Sequence, residues 1–209
     1  MKKILLLIAL ATFIPLQAAA QERWKEGIHY NIIAEQATDK KQVMEFFSFW
    51  CPHCFNFEPL VKSMKAKLAS DVDFKKVHVN FMGFTSSQIQ DEATRGMMVA
   101  RALKKEEQLN GAIFKYIHVQ RSNLTSLNDI RNIFVVNGVE PEEFDKMASS
   151  FGVNSLVQMN NKNIAQYRKH VSGVPNFIVN GKYQAVFNKD RNLTQDDMVD
   201  LVVWLSTQK

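Results

Sequence analysis

The only two cysteines in the chain stand as Cys51-Pro52-His53-Cys54, directly after the apolar run Val43-Met44-Glu45-Phe46-Phe47-Ser48-Phe49. A strand that runs at once into Cys-x-x-Cys puts the first sulfur at the mouth of the next helix. There, unpaired backbone N–H groups and the helix dipole favour negative charge, so a thiolate forms readily. With no third cysteine, the pair can close on itself, pass its oxidation state to another molecule, or bind a metal. The pattern predicts a dithiol/disulfide exchange catalyst. Cys51, at the helix start, is expected to be exposed and attacked first. Cys54, one turn further on, is expected to be buried and to act as the resolving thiol. Pro52 lacks an N–H and pre-sets φ for a first helical turn. His53 either adds positive charge beside the Cys51 thiolate or is a solvent-exposed turn residue with no role. Each unit by which the thiol pKa falls below ambient pH stabilises the reduced form by roughly 1.4 kcal/mol, or about 30 mV for two electrons. A metal site has less support. Structural zinc wants four ligands, and His29, His78, His118 and His170 show no zinc-type spacing, so neither metal nor cofactor is expected.

The elements that must position this pair follow from periodicity. Ile28 to Ile33 reads as a short edge strand and Val43 to Phe49 as a buried one. A helix is expected from about Cys51 to Ala69, with Pro59 kinking it or ending its first segment. Asp73 to Phe81 alternates as a strand. From about Ser86 to His170 the strand pattern vanishes. Ile89, Ala93, Met97, Ala100 and Leu103 form one helical stripe, Ile130, Ile133 and Phe134 a second, and Phe144, Met147 and Ala148 a third. Asn137-Gly138 stops one helix and Pro141 starts the next. Strands return at Asn176 to Val179 and Lys182 to Phe187, flanking the hairpin signal Asn180-Gly181. A last helix follows Thr194, which has Asp197 three residues on as a capping pair. The fold class is therefore α/β, with an all-helical insertion. The expected organisation is a leader over 1–20, a first α/β part over 21–85, a helical insert over 86–170, and a second α/β part over 171–209.

Lys2-Lys3, the apolar stretch Ile4 to Leu16 and Ala18-Ala19-Ala20 make a secretory signal, with cleavage after Ala20 or alternatively Ala19. A retained anchor is the weaker reading, because about 13 apolar residues fall short of the roughly 20 that span a bilayer. Removal of the leader lowers the formal charge from +5 to +3, without any basic run, so nucleic-acid binding has little support. With 46% apolar residues and 15 Phe, the chain can build a real core. An exported protein uses cysteines mainly as staples, but a bridge across four residues would constrain little of the unfolded chain.

The sequence resembles the DsbA family, bacterial periplasmic thiol oxidases with a thioredoxin fold and an inserted helical domain. The resemblance rests on Glu45-Phe46-Phe47-Ser48-Phe49, Cys51-Pro52-His53-Cys54, Phe57-Glu58, His78-Val79-Asn80-Phe81-Met82-Gly83, Ser155-Leu156-Val157, Gly173-Val174-Pro175 and Asn180-Gly181-Lys182-Tyr183-Gln184. Two positions depart from it: Trp50 stands where Phe or Tyr is commoner, and Ala185 to Thr194 is shorter than in the best-studied members. The resemblance implies a low Cys51 pKa and an oxidising disulfide. It also implies a cis Val174-Pro175 bond against the Cys-x-x-Cys loop, although trans is the general rule, with the backbone of Val174 pairing with an extended substrate. Phe81, Met82, Gly83 and Phe84 would extend an apolar surface beside it, or equally belong to the core. Glu45 would lie buried near Lys76 and ease proton transfer at Cys54; read from the residues alone, it could face solvent at a strand edge. Glu58, four residues after Cys54 on the helix, could be a plain surface charge. The implied activity is donation of the disulfide to exported proteins in the periplasm, with reoxidation by a membrane quinone-linked partner of the DsbB type. A monomer is expected, and no dimerisation domain precedes the motif, which counts against an isomerase. The alternatives are a reductase or isomerase of the same fold, and a non-catalytic metal carrier or chaperone-like holder.

Overall fold

The computed structural model describes residues 23–190 and 192–209, so the predicted leader and its cleavage site lie outside the described residues. Five strands form one mixed sheet: β1 (Tyr30–Ile32), β2 (Gln42–Phe47), β3 (Asp73–His78), β4 (Asn176–Val179) and β5 (Tyr183–Ala185). Their spatial order is β1-β5-β4-β2-β3, with β2 and β3 parallel and the other pairs antiparallel. Central β2 has Val43, Met44, Glu45, Phe46 and Phe47 all buried. Each buried Val, Met or Phe stabilises the fold by about 1.5–3 kcal/mol, which holds the strand leading into the cysteines in place.

The parallel β2–β3 pair needs a crossover, supplied by α1 (Pro52–Lys67). Pro59 does not end α1, which runs as one helix through it. Proline removes a single N–H donor, while Leu60, Val61 and Met64 stay buried beyond it and keep the helix in register. Both strands of the crossover are shorter than expected. β2 stops at Phe47 and β3 at His78, the residues paired at the end of their ladder.

Five helices separate β3 from β4: α2 (Ser87–Ala102), α3 (Glu106–His118), α4 (Leu127–Val136), α5 (Pro141–Ala148) and α6 (Phe151–Tyr167). The stripes seen in the sequence mark α2, α4 and α5. α3 and α6 bury apolar residues at helical spacing too, Leu109, Ile113 and Phe114 on one and Val153, Ile164 and Tyr167 on the other, and each also buries an asparagine, Asn110 and Asn160. Gly96 lets α2 approach α4: a Cβ there would lie 2.6 Å from Cγ2 of Ile130. α6 serves two cores. Its Val153, Leu156 and Val157 pack among the helices, while Ile164 and Tyr167 pack on the sheet with Met44, Phe46 and Ile178.

Asn180 and Gly181 turn the chain between β4 and β5 with φ of +50° and +64°, the left-handed conformation that Asn and Gly adopt most readily. Asn180 also accepts a hydrogen bond from the Gln42 N–H at 2.9 Å and donates to the Gln208 carbonyl at 2.8 Å. The last helix, α7 (Gln195–Thr207), starts at the predicted Thr194–Asp197 capping box and packs with α1 over the face of the sheet formed by Val43, Phe177 and Val179. Among the described residues, no helix is long and apolar enough to cross a membrane.

Candidate active site

β2 ends and α1 begins within five residues, and the turn between them is built by Ser48. Its carbonyl accepts the Cys51 N–H at 3.1 Å and its hydroxyl accepts the Trp50 N–H at 3.3 Å. Cys51 thereby becomes the N-cap of α1, with extended φ and ψ, and Pro52 takes the first helical position. An N-cap side chain ordinarily offers oxygen to the free N–H groups of the first turn. Here sulfur does so: the Cys54 N–H donates to Cys51 Sγ at 3.2 Å. Both sulfurs are free in the structure.

The Cys51 thiol is lowered to about 6. The largest cause is a hydrogen bond from the Cys54 thiol; burial opposes it, and the backbone N–H groups of Cys54 and His53 and the charge of His53 add to the lowering. Cys54 is raised, first by burial and then by its bond to Cys51. One environment thus splits two identical side chains into a thiolate and a thiol. The expectation that Cys51 is exposed needs correction, because it is only 3% exposed. Its thiol lies under the Val174 carbonyl, to which it donates at 3.5 Å, across the cis Val174-Pro175 bond. Pro52 and His53, by contrast, are exposed on the outer side of the turn. Cys54 is fully buried, as expected.

Beneath the pair lies a charge network. Glu45 and Lys76 face each other across the β2–β3 ladder, and Lys76 Nζ donates to Glu45 Oε2 and to Glu58 Oε1, each at 2.7 Å. Glu45 is fully buried, with Oε1 unpartnered among the described residues. Burial pushes its carboxyl upward against the pull of Lys76, and its charge in turn helps to raise Cys54. Burial works to lower Lys76, but the two carboxylates win and it is raised. Glu58, a plain surface charge in the sequence, is the second arm of this network. Its signal was its position four residues after Cys54, one helical turn away.

Two histidines that sequence reasoning passed over as unsuitable zinc ligands frame the turn instead. His118 on α3 stacks on Phe55 at 5.1 Å and donates from Nε2 to the Phe49 carbonyl at 2.8 Å. His78, fully buried, lies 4.9 Å from the ring of Phe49 and 6.0 Å from that of Trp50. Thr94 Oγ1 donates to the Gln90 carbonyl, so it accepts from His78 Nδ1 at 2.9 Å, which fixes the Nδ1–H tautomer. Burial holds this imidazole at about 3, neutral at any physiological pH. Met82 is half-buried and packs against the same cluster as Val174, whereas Phe84 stays 45% exposed. In the short segment after β5, Phe187 packs on Phe57 and Phe177. Among the described residues, no three His, Cys, Asp or Glu side chains gather where they could hold a metal ion.

Comparison with known proteins places this geometry. Residues 42–199 match the model of the DSBA-like thioredoxin domain family. The thiol:disulfide interchange protein DsbA of Haemophilus influenzae is 38% identical over 204 residues, covering 95% of this chain and 94% of its own. DsbA of Escherichia coli K12 is 34% identical over 216 residues, with both chains fully covered. Among solved structures, the disulfide oxidoreductase DsbA of Proteus mirabilis superposes with a TM-score of 0.77 at 30% identity, over 88% of this chain and 97% of that one. A cysteine-to-serine form of the same Proteus protein, solved with the non-covalently bound peptide PWATCDS, matches with a TM-score of 0.76 at 29% identity over the same shares.

Proposed function

The chain belongs to the DSBA-like thioredoxin domain family, and from that premise we propose that Cys51 and Cys54 are its redox-active pair, with the roles that follow. The protein is a thiol:disulfide oxidoreductase that donates a disulfide to other proteins. In the oxidised form the Cys51–Cys54 bond is the electrophile. A substrate thiolate attacks Cys51 Sγ, forming a mixed disulfide as the Cys51–Cys54 bond breaks and its electron pair leaves on Cys54. Cys54, whose environment disfavours the thiolate, takes a proton. A second substrate thiolate then attacks the substrate sulfur of the mixed disulfide and expels Cys51. The substrate leaves with a disulfide and the protein keeps two electrons, as the Cys51 thiolate and the Cys54 thiol.

The observation that carries this reading is the split between the two thiols. A sulfur lowered to about 6 is a good leaving group at neutral pH, so the second step runs toward oxidised substrate. Glu45 is the acid that supplies and recovers the Cys54 proton, recharged through Lys76 and Glu58. Val174 offers the backbone contact for substrate: once Cys51 is oxidised or ionised it no longer donates to the Val174 carbonyl, which is then free for a substrate N–H. Pro175 sets that loop against the cysteines, and Met82 and Phe84 supply an adaptable apolar surface for varied unfolded chains. The same reading places the protein in the periplasm as a monomer, reoxidised by a membrane quinone-linked partner of the DsbB type.

The test is stoichiometric oxidation of a reduced, unfolded protein with two cysteines, followed by counting free thiols. Cys51→Ser and Cys54→Ser should each abolish oxidation, because neither variant can form the disulfide that is donated. Oxidation that survives Cys51→Ser would overturn the assignment. Inverted membranes containing quinone should restore the disulfide under air, and detergent-stripped buffer alone should not.

A further inference from the structure

The buried amide of Asn110 on α3 is left over by the exchange chemistry. It is 1% exposed, and neither Oδ1 nor Nδ2 has a partner among the described residues. Buried polar groups in folded proteins are almost always paired, so a side chain with both a donor and an acceptor unmet points to a partner from outside the chain. Asn110 stands in the wall of a cleft of about 420 Å³ between α1 and α3, within the range that small-molecule sites occupy. The apolar part of that wall comes from Phe55, Pro59, Val61, Phe74 and Phe114.

The charges around the cleft are unequal in supply. Glu58 is engaged by Lys76 at 2.7 Å, and Glu106 is held by both Nε and Nη2 of Arg101. Lys62 and Lys65 share the one remaining carboxylate, Glu107, at 3.5 and 3.8 Å. Lys115 has no carboxylate within ion-pair distance among the described residues. The rim therefore has cations to spare while the wall is aromatic and carries an unpaired amide. We propose that this cleft binds a small amphipathic carboxylate: an aromatic body against the three phenylalanines, a polar N–H or O–H on Asn110, and the carboxylate among Lys62, Lys65 and Lys115. No cysteine belongs to the site, which shares only its inner wall, Glu58 and Lys76, with the proposed proton relay.

Indole-3-acetate is a suitable probe, because it carries all three features. Titrated into the reduced ¹⁵N-labelled mature protein, it should shift the Asn110 side-chain amide and the Gly111 and Lys115 backbone signals along one saturable curve. Its methyl ester should bind at least tenfold more weakly. Asn110→Leu, similar in size, should weaken binding by about tenfold, and the surface double change Lys62→Gln with Lys65→Gln by severalfold. The lysine variants keep the test open if Asn110→Leu fails to fold, which a thermal melt will reveal. Shifts that stay linear to high concentration, equal affinity for the ester, or unchanged affinity in both variants would each overturn the proposal.

Discussion

A thiol lowered in the fold must make the reduced protein's stability depend on pH, and the structure sets the sign and size. Cys51 falls from an ordinary 9.0 to about 6 because the Cys54 thiol and the N–H groups of the first turn hold its ionised form. For an acid whose folded pKa is depressed, the stabilisation is complete above the unfolded value and is lost as pH falls through the folded one. The window is therefore pH 9 down to 6. Linkage gives almost nothing at pH 5, about 1.4 kcal/mol at pH 7 and about 2.7 kcal/mol at pH 8. Urea unfolding of the reduced protein should be compared with Cys51→Ser, which removes the titrating group, from pH 5 to 8. The difference between them should grow by about 2.6 kcal/mol across that range. The same cycle makes the native disulfide about 30 mV more oxidising than the unfolded one at pH 7 for that single contribution, so the reduced form should also melt above the oxidised form. Parallel pH profiles for the two proteins, within about 0.5 kcal/mol, would show that the fold does not hold the thiolate and would refute the reasoning.

The contributions to Cys51 are also ranked. Cys54→Ala, which removes the largest one, should raise the midpoint of iodoacetamide labelling at Cys51 more than His53→Ala, whose backbone N–H survives the change. Glu45→Gln keeps the shape of the buried pair and leaves Lys76 on Glu58. Stability at pH 7 should move by less than about 1.5 kcal/mol, since burying a charge already offsets most of its pairing, while single-turnover formation of the mixed disulfide, the step in which Cys54 takes its proton, slows and loses its pH dependence. Gly96→Ala should destabilise the helical block by about 1–3 kcal/mol in denaturant melts, because its Cβ meets Ile130 at 2.6 Å. Adding Ile130→Val, which removes Cδ1 but keeps Cγ2, should recover only part of that loss.

The sequence alone determined whatever depends on neighbours along the chain. Cys51 at a helix mouth, Pro52 at its first turn, the Asn180-Gly181 hairpin and the Thr194–Asp197 cap are local chemistry, and each stands where spacing placed it. Periodicity likewise gave the α/β order and the helical block between the strands. Tertiary structure decided what depends on residues far apart. Whether Glu45 faces solvent or Lys76 is a matter of ladder register, which sets it directly across from Lys76 within a sheet covered on both faces. Glu58 becomes the third member only because α1 crosses over the same ladder. Cys51 was expected in the open, yet a loop 123 residues away covers it. Nothing near Cys51 in the chain encodes that cover, because the chain must run through six helices before Val174 returns to the sulfur. The same holds for His118 and Asn110, whose roles arise only when α3 folds back against α1. Local propensity writes the nucleophile, and long-range packing sets its exposure, its proton source and the cleft beside it.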